Sequence, residues 1–434
     1  MAARTTLARL RFFLVNVASR LISVVAFMPE FFFIAIVLIG QVGAFISLLN
    51  RRLMNAHQGW PRAVAAVLSA GMLIGLPVVA LVVLERRGIL ADLARFRGSP
   101  ASVSVVAVYE AIVVLAVVRF LWVSLVTLPR RKHPTILVGK NRSIASYPGA
   151  EASEKSWPTR VNRLLNPLSR LNCRFDLEVN EFILSPPGLP AAFDGFSIVH
   201  LSDIHATRSD PERWHDFIAE TVARLRPDLI TITGDFVARA DDLVRVARIL
   251  RRLRAPHGTW AIRGNHDFWE APDELRDVLA RTGVGLLANR RAEIRRDRAA
   301  FNLVGIESPW GHPKETWSQL FESSPDQRIT IVLSHTPDNA PAAARLGATL
   351  MFAGHTHGGQ IRFPWIGSLV VPSRYGKRYD QGWFAVGSLA LYVSRGIGTH
   401  LPELRVACRP EIARFVFRVG DLENRPPAHS GSWC

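Results

Sequence analysis

Five short segments of this 434-residue chain end in residue types that bind metal ions. They read Leu201-Ser-Asp203-Ile-His205, Thr233-Gly-Asp235, Arg263-Gly-Asn265-His266-Asp267, Leu333-Ser-His335 and Ala353-Gly-His355-Thr-His357-Gly-Gly. Imidazole nitrogens with carboxylate and amide oxygens form a mixed donor set that suits divalent transition metals and hydrolytic chemistry. Alternate side chains of an extended chain point the same way, so Asp203 and His205 are expected on one side after a strand. The glycines before Asp235, Asn265 and His355 allow tight turns and a close backbone approach to an ion. Each segment alone is weak, because a histidine after a strand is usually structural. Five in order, each closing a β-branched run, point to one centre.

Those runs are the elements that must position the ligands. Phe196–Leu201, Asp228–Thr233, Thr259–Arg263, Phe301–Ile306, Ile329–Leu333 and Thr349–Phe352 are predicted strands. Trp214, Phe217, Ile218, Val222 and Leu225 repeat with helical period, as do Val244, Ala247, Leu250 and Leu253. Strand–helix alternation predicts an α/β domain whose strand ends face one crevice.

Asp203-x-His205, Gly234-Asp235, Gly264-Asn265-His266-Asp267, His335 and Gly354-His355-Thr356-His357 resemble the motif set of the calcineurin-like metallophosphoesterases. The resemblance spans residues 176–421. Gly358-Gly359-Gln360, Ser394-Arg395-Gly396-Ile397-Gly398 and Arg409-Pro410-Glu411-Ile412 resemble the branch with N-terminal membrane helices. That branch includes membrane phosphodiesterases and UDP-diacylglucosamine pyrophosphatases. The resemblance implies two packed mixed sheets flanked by helices. It also implies that Asp203, His205 and His357 hold one ion, that Asn265, His335 and His355 hold a second, and that Asp235 bridges them. Seven such ligands exceed the needs of one tetrahedral zinc and fit two divalent transition-metal ions, Mn, Fe, Zn or Co. Two ions against two carboxylates keep positive charge for a phosphate and lower the pKa of a bridging water.

His266 follows a ligand without pointing at the same metal, which leaves it to protonate the leaving oxygen or stabilise the transition state. Asp267 is expected to orient His266, against a plain loop-capping role. Arg374, Lys377 and Arg378, flanking Tyr375 and Tyr379, are candidates to grip a diphosphate, with a solvated surface as the alternative. Ala238 stands where protein Ser/Thr phosphatases of the family carry an aspartate, which argues against a phosphoprotein substrate. His57, His133, His215 and His257 read as structural, whereas His312 sits in a loop that could reach substrate.

Charge is uneven along the chain. Residues 1–130 carry 13 basic and 4 acidic side chains, residues 131–175 carry 9 and 2, and residues 176–434 carry 31 and 30. A basic excess outside the folded domain points to a lipid bilayer as partner rather than nucleic acid. Phe31–Leu49 and Ala63–Leu84 are uncharged and long enough to span, and Val103–Leu128 is apolar apart from Glu110 and Arg119. The expected organisation has four parts. Residues 1–130 form a multi-span helical membrane region of three or four transmembrane helices. Residues 131–175 form a basic juxtamembrane linker, its Lys155, Arg160, Arg163, Arg170 and Arg174 interleaved with Trp157 and leucines against lipid headgroups. Residues 176–421 form the catalytic domain, and 422–434 a flexible tail. The expected location is the cell membrane, multi-pass, with the catalytic domain facing the cytoplasm. The expected function is hydrolysis of a phosphodiester or pyrophosphate bond in a lipid-linked or nucleotide-linked substrate. The alternatives are a nuclease and an inactive membrane receptor or scaffold. Three isolated cysteines exclude a disulfide framework.

Overall fold

Among the described residues all six predicted strands form, and nine more join them. The computed structural model describes residues 134–147, 171–211, 213–307, 309–311, 317–322, 328–364, 367–368, 370–400 and 403–420. The chain divides into Met1–Pro129 and Arg130–Cys434, and the described residues belong to the second unit.

One mixed sheet holds β1 (Leu137–Ser146), β2 (Asp176–Leu184), β3 (Ser197–Leu201), β4 (Leu229–Thr233), β5 (Thr259–Ile262), β6 (Val284–Leu286) and β15 (Glu411–Phe417). Its spatial order is β1-β2-β15-β3-β4-β5-β6. The other contains β7 (Arg291–Arg296), β8 (Ala299–Ile306), β9 (Thr330–Ser334), β10 (Leu350–Ala353), β13 (Gly382–Val386) and β14 (Leu389–Val393), in the order β13-β14-β10-β9-β8-β7. A small ribbon pairs β11 (Arg362–Phe363) with β12 (Gly367–Ser368). Strands β3 to β6 run parallel, as do β8, β9, β10 and β14. Parallel strands end at the same edge, which is why each sheet delivers its loops together.

Both sheets are covered on both faces, so their central strands read as continuous apolar runs. On β3, Ile198 enters the core between the sheets, while Val199 and Leu201 meet the helices α1 (Trp214–Arg224), α2 (Leu243–Leu250) and α4 (Pro272–Arg281). A short helix, α3 (Asn265–Glu270), opens directly at a candidate ligand. On β9, Ile331 and Leu333 face the core between the sheets, while Val332 packs under α5 (Trp317–Glu322) and α6 (Ala340–Arg345). Phe352 of β10 stacks on Phe415 of β15 at 4.4 Å and joins the sheets directly. The α/β domain of two mixed sheets is therefore present.

Two expectations need correction. Among the described residues no helix is long and apolar enough to cross a membrane. The longest, α1, has 11 residues, about 16 Å at 1.5 Å per residue against about 30 Å of hydrocarbon. This finding overturns the multi-span helical membrane region and the multi-pass cell-membrane location with its cytoplasm-facing catalytic domain. Phe31–Leu49, Ala63–Leu84 and Val103–Leu128, on which both rested, lie outside the described residues, as do 148–170 of the expected linker and the tail. Within the linker, β1 pairs antiparallel with β2 and belongs to the sheet. Arg174 is only 4% exposed and is bound to Asp210 and Glu403, so it does not face lipid headgroups.

Candidate metal centre

The loops after β3, β4, β5, β9 and β10 converge, and seven side chains meet where they do. Ligand atoms of Asp203, His205, Asp235 and His357 lie within 4.8 Å of one another, as do those of Asp235, His335 and His355. Asp235 belongs to both groups. Its Oδ2 is 3.3 Å from His205 Nε2 and 3.2 Å from His335 Nε2. Asn265 completes the second group, with Oδ1 at 3.0 Å from His335 Nε2. His357 Nε2 lies 3.4 Å from Asp203 Oδ1.

The backbone that delivers these groups is left-handed at five of them: Asp203, His205, Asp235, His355 and His357 have φ between 40 and 68°. Non-glycine residues in that region cost on the order of 1 kcal/mol or more each and persist only where their surroundings hold them. Here the surroundings are neighbouring ligand loops. Asp203 N–H donates to Gly234 O, His205 N–H to Asp235 O, and His355 N–H to the Asp203 carboxylate at 3.0 Å. Asp203 and His205 thus share a side because both follow the end of β3 in left-handed conformations. Strand alternation, the expected reason, does not apply beyond Leu201. The glycines before Asn265 and His355 are required by contact. A Cβ on Gly264 would overlap the Asp235 carboxylate, and one on Gly354 would overlap Ser202 and Asp203.

A second ring of bonds fixes the ligands. His335 Nδ1 lies 2.6 Å from Thr233 O and donates its proton there, so Nε2 is the nitrogen that faces Asp235 and Asn265. Asp267, fully buried, accepts the N–H groups of Asp235, Phe236 and Gly264, each at 2.8 Å. That is loop-capping geometry. His266 N–H donates to Asp235 Oδ1 at 2.9 Å, and its ring lies 4.7 Å from that of His205.

The residues fit a pair of divalent ions. His355 Nε2 and His357 Nδ1 are buried and make no hydrogen bond among the described residues, while His205 Nε2 faces the Asp235 carboxylate at 3.3 Å. Buried polar atoms left in that state cost free energy unless something else satisfies them, and a cation does. The charges agree. Burial and neighbouring His335 push the His355 pKa down to about 3, and burial with His205 and Arg405 lowers His357 well below its ordinary value. Both therefore present lone pairs at neutral pH. Burial opposes charge on His335, yet Asp235 and Asp203 raise it to about 9, while burial of Asp235 is outweighed by His335 and His266, which hold it ionised. An ion would displace the His335 proton.

The three basic residues expected at the site lie on its rim. Asp338, three residues after His335, accepts Ser373 Oγ–H and Arg374 N–H, and Thr356 Oγ1 donates to Asp380 O at 2.7 Å. These bonds dock the loop of Arg374, Lys377 and Arg378 against the ligand loops. Arg374 and Arg378 are exposed and Lys377 half-buried. His312 lies outside the described residues, and His215 is buried 3.3 Å from Asp210. Sequence reasoning missed His400 and Trp310, whose rings stand 5.0 Å from His266 and 5.1 Å from His355. Only the Gly-Ile-Gly run before His400 hinted at either.

Known proteins agree with this geometry. Residues 196–359, which contain all seven converging side chains, match the family model described as calcineurin-like phosphoesterase. The chain is 35% identical over 254 residues to the metallophosphoesterase YkuE of Bacillus subtilis, covering 56% of this chain and 86% of that protein. It is 32% identical over 226 residues to the phosphodiesterase YaeI of Escherichia coli, covering 50% of this chain and 80% of that one. With the UDP-2,3-diacylglucosamine pyrophosphatase LpxG of Chlamydia trachomatis it shares 25% identity over 337 residues, 64% of this chain and 97% of the other. The family uses a dinuclear divalent metal centre, and the Asp/His cluster supplies candidate ligands for one. On the length and identity of the Bacillus match, this chain belongs to the calcineurin-like metallophosphoesterases and is a metal-dependent phosphoric ester hydrolase.

Proposed function

We propose that the enzyme hydrolyses a phosphodiester or pyrophosphate bond in a lipid-linked or nucleotide-linked substrate. The observation that carries this reading is the shared carboxylate of Asp235 between two groups of buried ligands, in which His355 Nε2 and His357 Nδ1 keep no hydrogen-bond partner among the described residues. The substrate class is supported by relatives named as a phosphodiesterase and as a UDP-2,3-diacylglucosamine pyrophosphatase.

In this reading Asp203, His205 and His357 hold one ion, Asn265, His335 and His355 the other, and Asp235 both. Bound there, the ions supply positive charge for the phosphoryl oxygens and a source of nucleophile at neutral pH. The chain does the rest. His266, oriented through its N–H on Asp235 and its ring against His205, donates toward the leaving oxygen or a phosphoryl oxygen of the transition state. Asp267 keeps the loops of Asp235 and Asn265 in register by taking three backbone N–H groups. Arg374, Lys377 and Arg378 face whatever extends from the reacting phosphate past the rim.

Replacing Asp235 or His355 with alanine abolishes turnover of a chromogenic phosphodiester while the circular dichroism of the domain is kept. Wild-type turnover in either variant would sink the assignment.

A further inference from the structure

After β14 the chain passes directly over two of the candidate ligands. Gly398 N–H donates to Asp203 O at 2.7 Å and Ile397 N–H to Ser202 O at 3.0 Å. A Cβ on Gly398 would overlap the Ile204 carbonyl and press on His205, so this segment lies flush against the centre. His400 follows, two residues on.

Its backbone is pinned from three directions. The Gln360 side chain takes His400 N–H on Oε1 and donates Nε2–H to His400 O, both at 2.9 Å. Gln360 sits three residues after His357, is itself buried, and has a left-handed φ of 55°. Arg405, fully buried, spends its guanidinium on the carbonyls of Gly398, Arg395 and Cys408. Glu403 is tied by Arg174 to Asp210, in the loop after His205. A fully buried arginine bonded to carbonyls is costly unless those bonds are needed, and here they hold a turn.

The turn presents one imidazole. The His400 ring lies 5.0 Å from His266 and 6.2 Å from His205, yet His400 falls in neither group of converging ligand atoms. It is partly exposed, unlike the ligands. An imidazole always offers at least one N–H donor. Beside a centre built to attract phosphate, a phosphoryl oxygen is an acceptor that such a donor can serve.

We propose that His400 is a substrate-contacting residue that donates a hydrogen bond to a phosphoryl oxygen, forming with His266 a two-imidazole wall, and that Gln360 is its positioning residue. The inference rests on reading the cluster as a phosphoesterase centre. Because both of these Gln360 bonds go to the backbone of residue 400, side-chain replacement there leaves them in place.

The test uses the full chain loaded with Mn²⁺ and bis(p-nitrophenyl) phosphate as probe. His400→Ala should lower kcat/KM by about tenfold to a hundredfold, the loss of one charge-assisted hydrogen bond. Bound Mn²⁺ per chain and the melting temperature should not move. His400→Gln, which retains an N–H donor, should recover part of the loss. Gln360→Ala should fall in the same direction with metal content kept. A purely structural role would instead lower metal content or melting temperature in His400→Ala, and the glutamine would not rescue it. Should kcat/KM of His400→Ala stay within about twofold of wild type while Asp235→Ala is inactive, the His400 assignment is wrong and the centre stands. If Asp235→Ala is as active as wild type, the reading of the centre fails and His400 with it.

Discussion

Asp203, His205, Asp235, Asn265, His335, His355 and His357 are at most 8% exposed, and five of the seven sit on left-handed backbone. On the rim, the side chain of Arg374 is 52% exposed, Arg378 covers only the face of Tyr379, and His400 is anchored through its main chain. The floor of the centre accumulates desolvation, which bound cations would offset, and backbone strain, which the neighbouring ligand loops hold. Apart from the half-buried Lys377, whose burial lowers its pKa, the rim carries neither, so its exposed side chains can change with little disturbance of the fold. A site divided this way keeps its reaction fixed in the floor and leaves its substrate open to variation at the rim.

The largest break in that division should come from Gly264→Ala. Its Cβ has no space beside Asp235 and His335, whose positions define both ligand groups. Bound metal should drop below one ion per chain, with activity at background. A variant that still binds two ions by elemental analysis would show the floor to be more forgiving than its contacts imply.

Next comes Asp267→Asn. An amide would turn N–H groups toward the N–H donors of Gly264, Asp235 or Phe236, which a carboxylate accepts without conflict. Metal affinity in chelator competition should weaken about tenfold to a hundredfold, the usual effect of disturbing groups that orient ligands. Unchanged affinity would mean that the loops hold without this brace.

A smaller effect lies just beneath the floor. His200 is wholly buried between Thr231 and Thr233, and burial lowers its pKa from 6.5 to about 4. The folded form therefore refuses a proton that the unfolded chain accepts. Stability is fully present above pH 6.5 and is lost as the pH falls toward 4, by up to about 3 kcal/mol from this group. His200→Gln should flatten that part of the pH dependence in urea unfolding at pH 7 and pH 4.5. Parallel curves for the two proteins would assign the acid sensitivity to carboxylates instead.

The smallest effect belongs to the rim. Arg374→Ala removes a contact of 3.4 Å to Asp338 but keeps the backbone bond to the same carboxylate. Stability should change by no more than about 0.5 kcal/mol. Turnover of a small diester should also hold, while KM for a pyrophosphate substrate rises. A large loss on the small diester would move Arg374 from rim to floor.

Much of the floor could be read locally. Apolar, β-branched runs, five of them leading into a ligand-type residue, are a short-range signal, and the six strands predicted from such runs are present. Strands β2 and β15 gave no such signal, because Glu178, Asn180 and Glu411 interrupt their apolar pattern. Inside the fold Glu178 pairs with Arg395, Asn180 with Glu411 and Glu411 with Tyr392, and the partners of β2 lie more than two hundred positions from it. Local hydropathy also suggested the membrane spans, for which the described helices give no support. Asp267 looked equally suited to two roles until the loop of Asp235 arrived beside it.

The sequence by itself determined the donor chemistry: four imidazoles, two carboxylates and an amide, each placed after a strand by a short motif. Only the tertiary structure decided which of them converge, which nitrogen of His335 faces the others, and which further imidazole stands beside the centre. The physical reason is range. A residue's identity and strand periodicity act over a few positions, whereas the bond from His355 to Asp203 spans 152. The left-handed turns at both residues are tolerable only because the parallel ends of two packed sheets bring the partners that hold them.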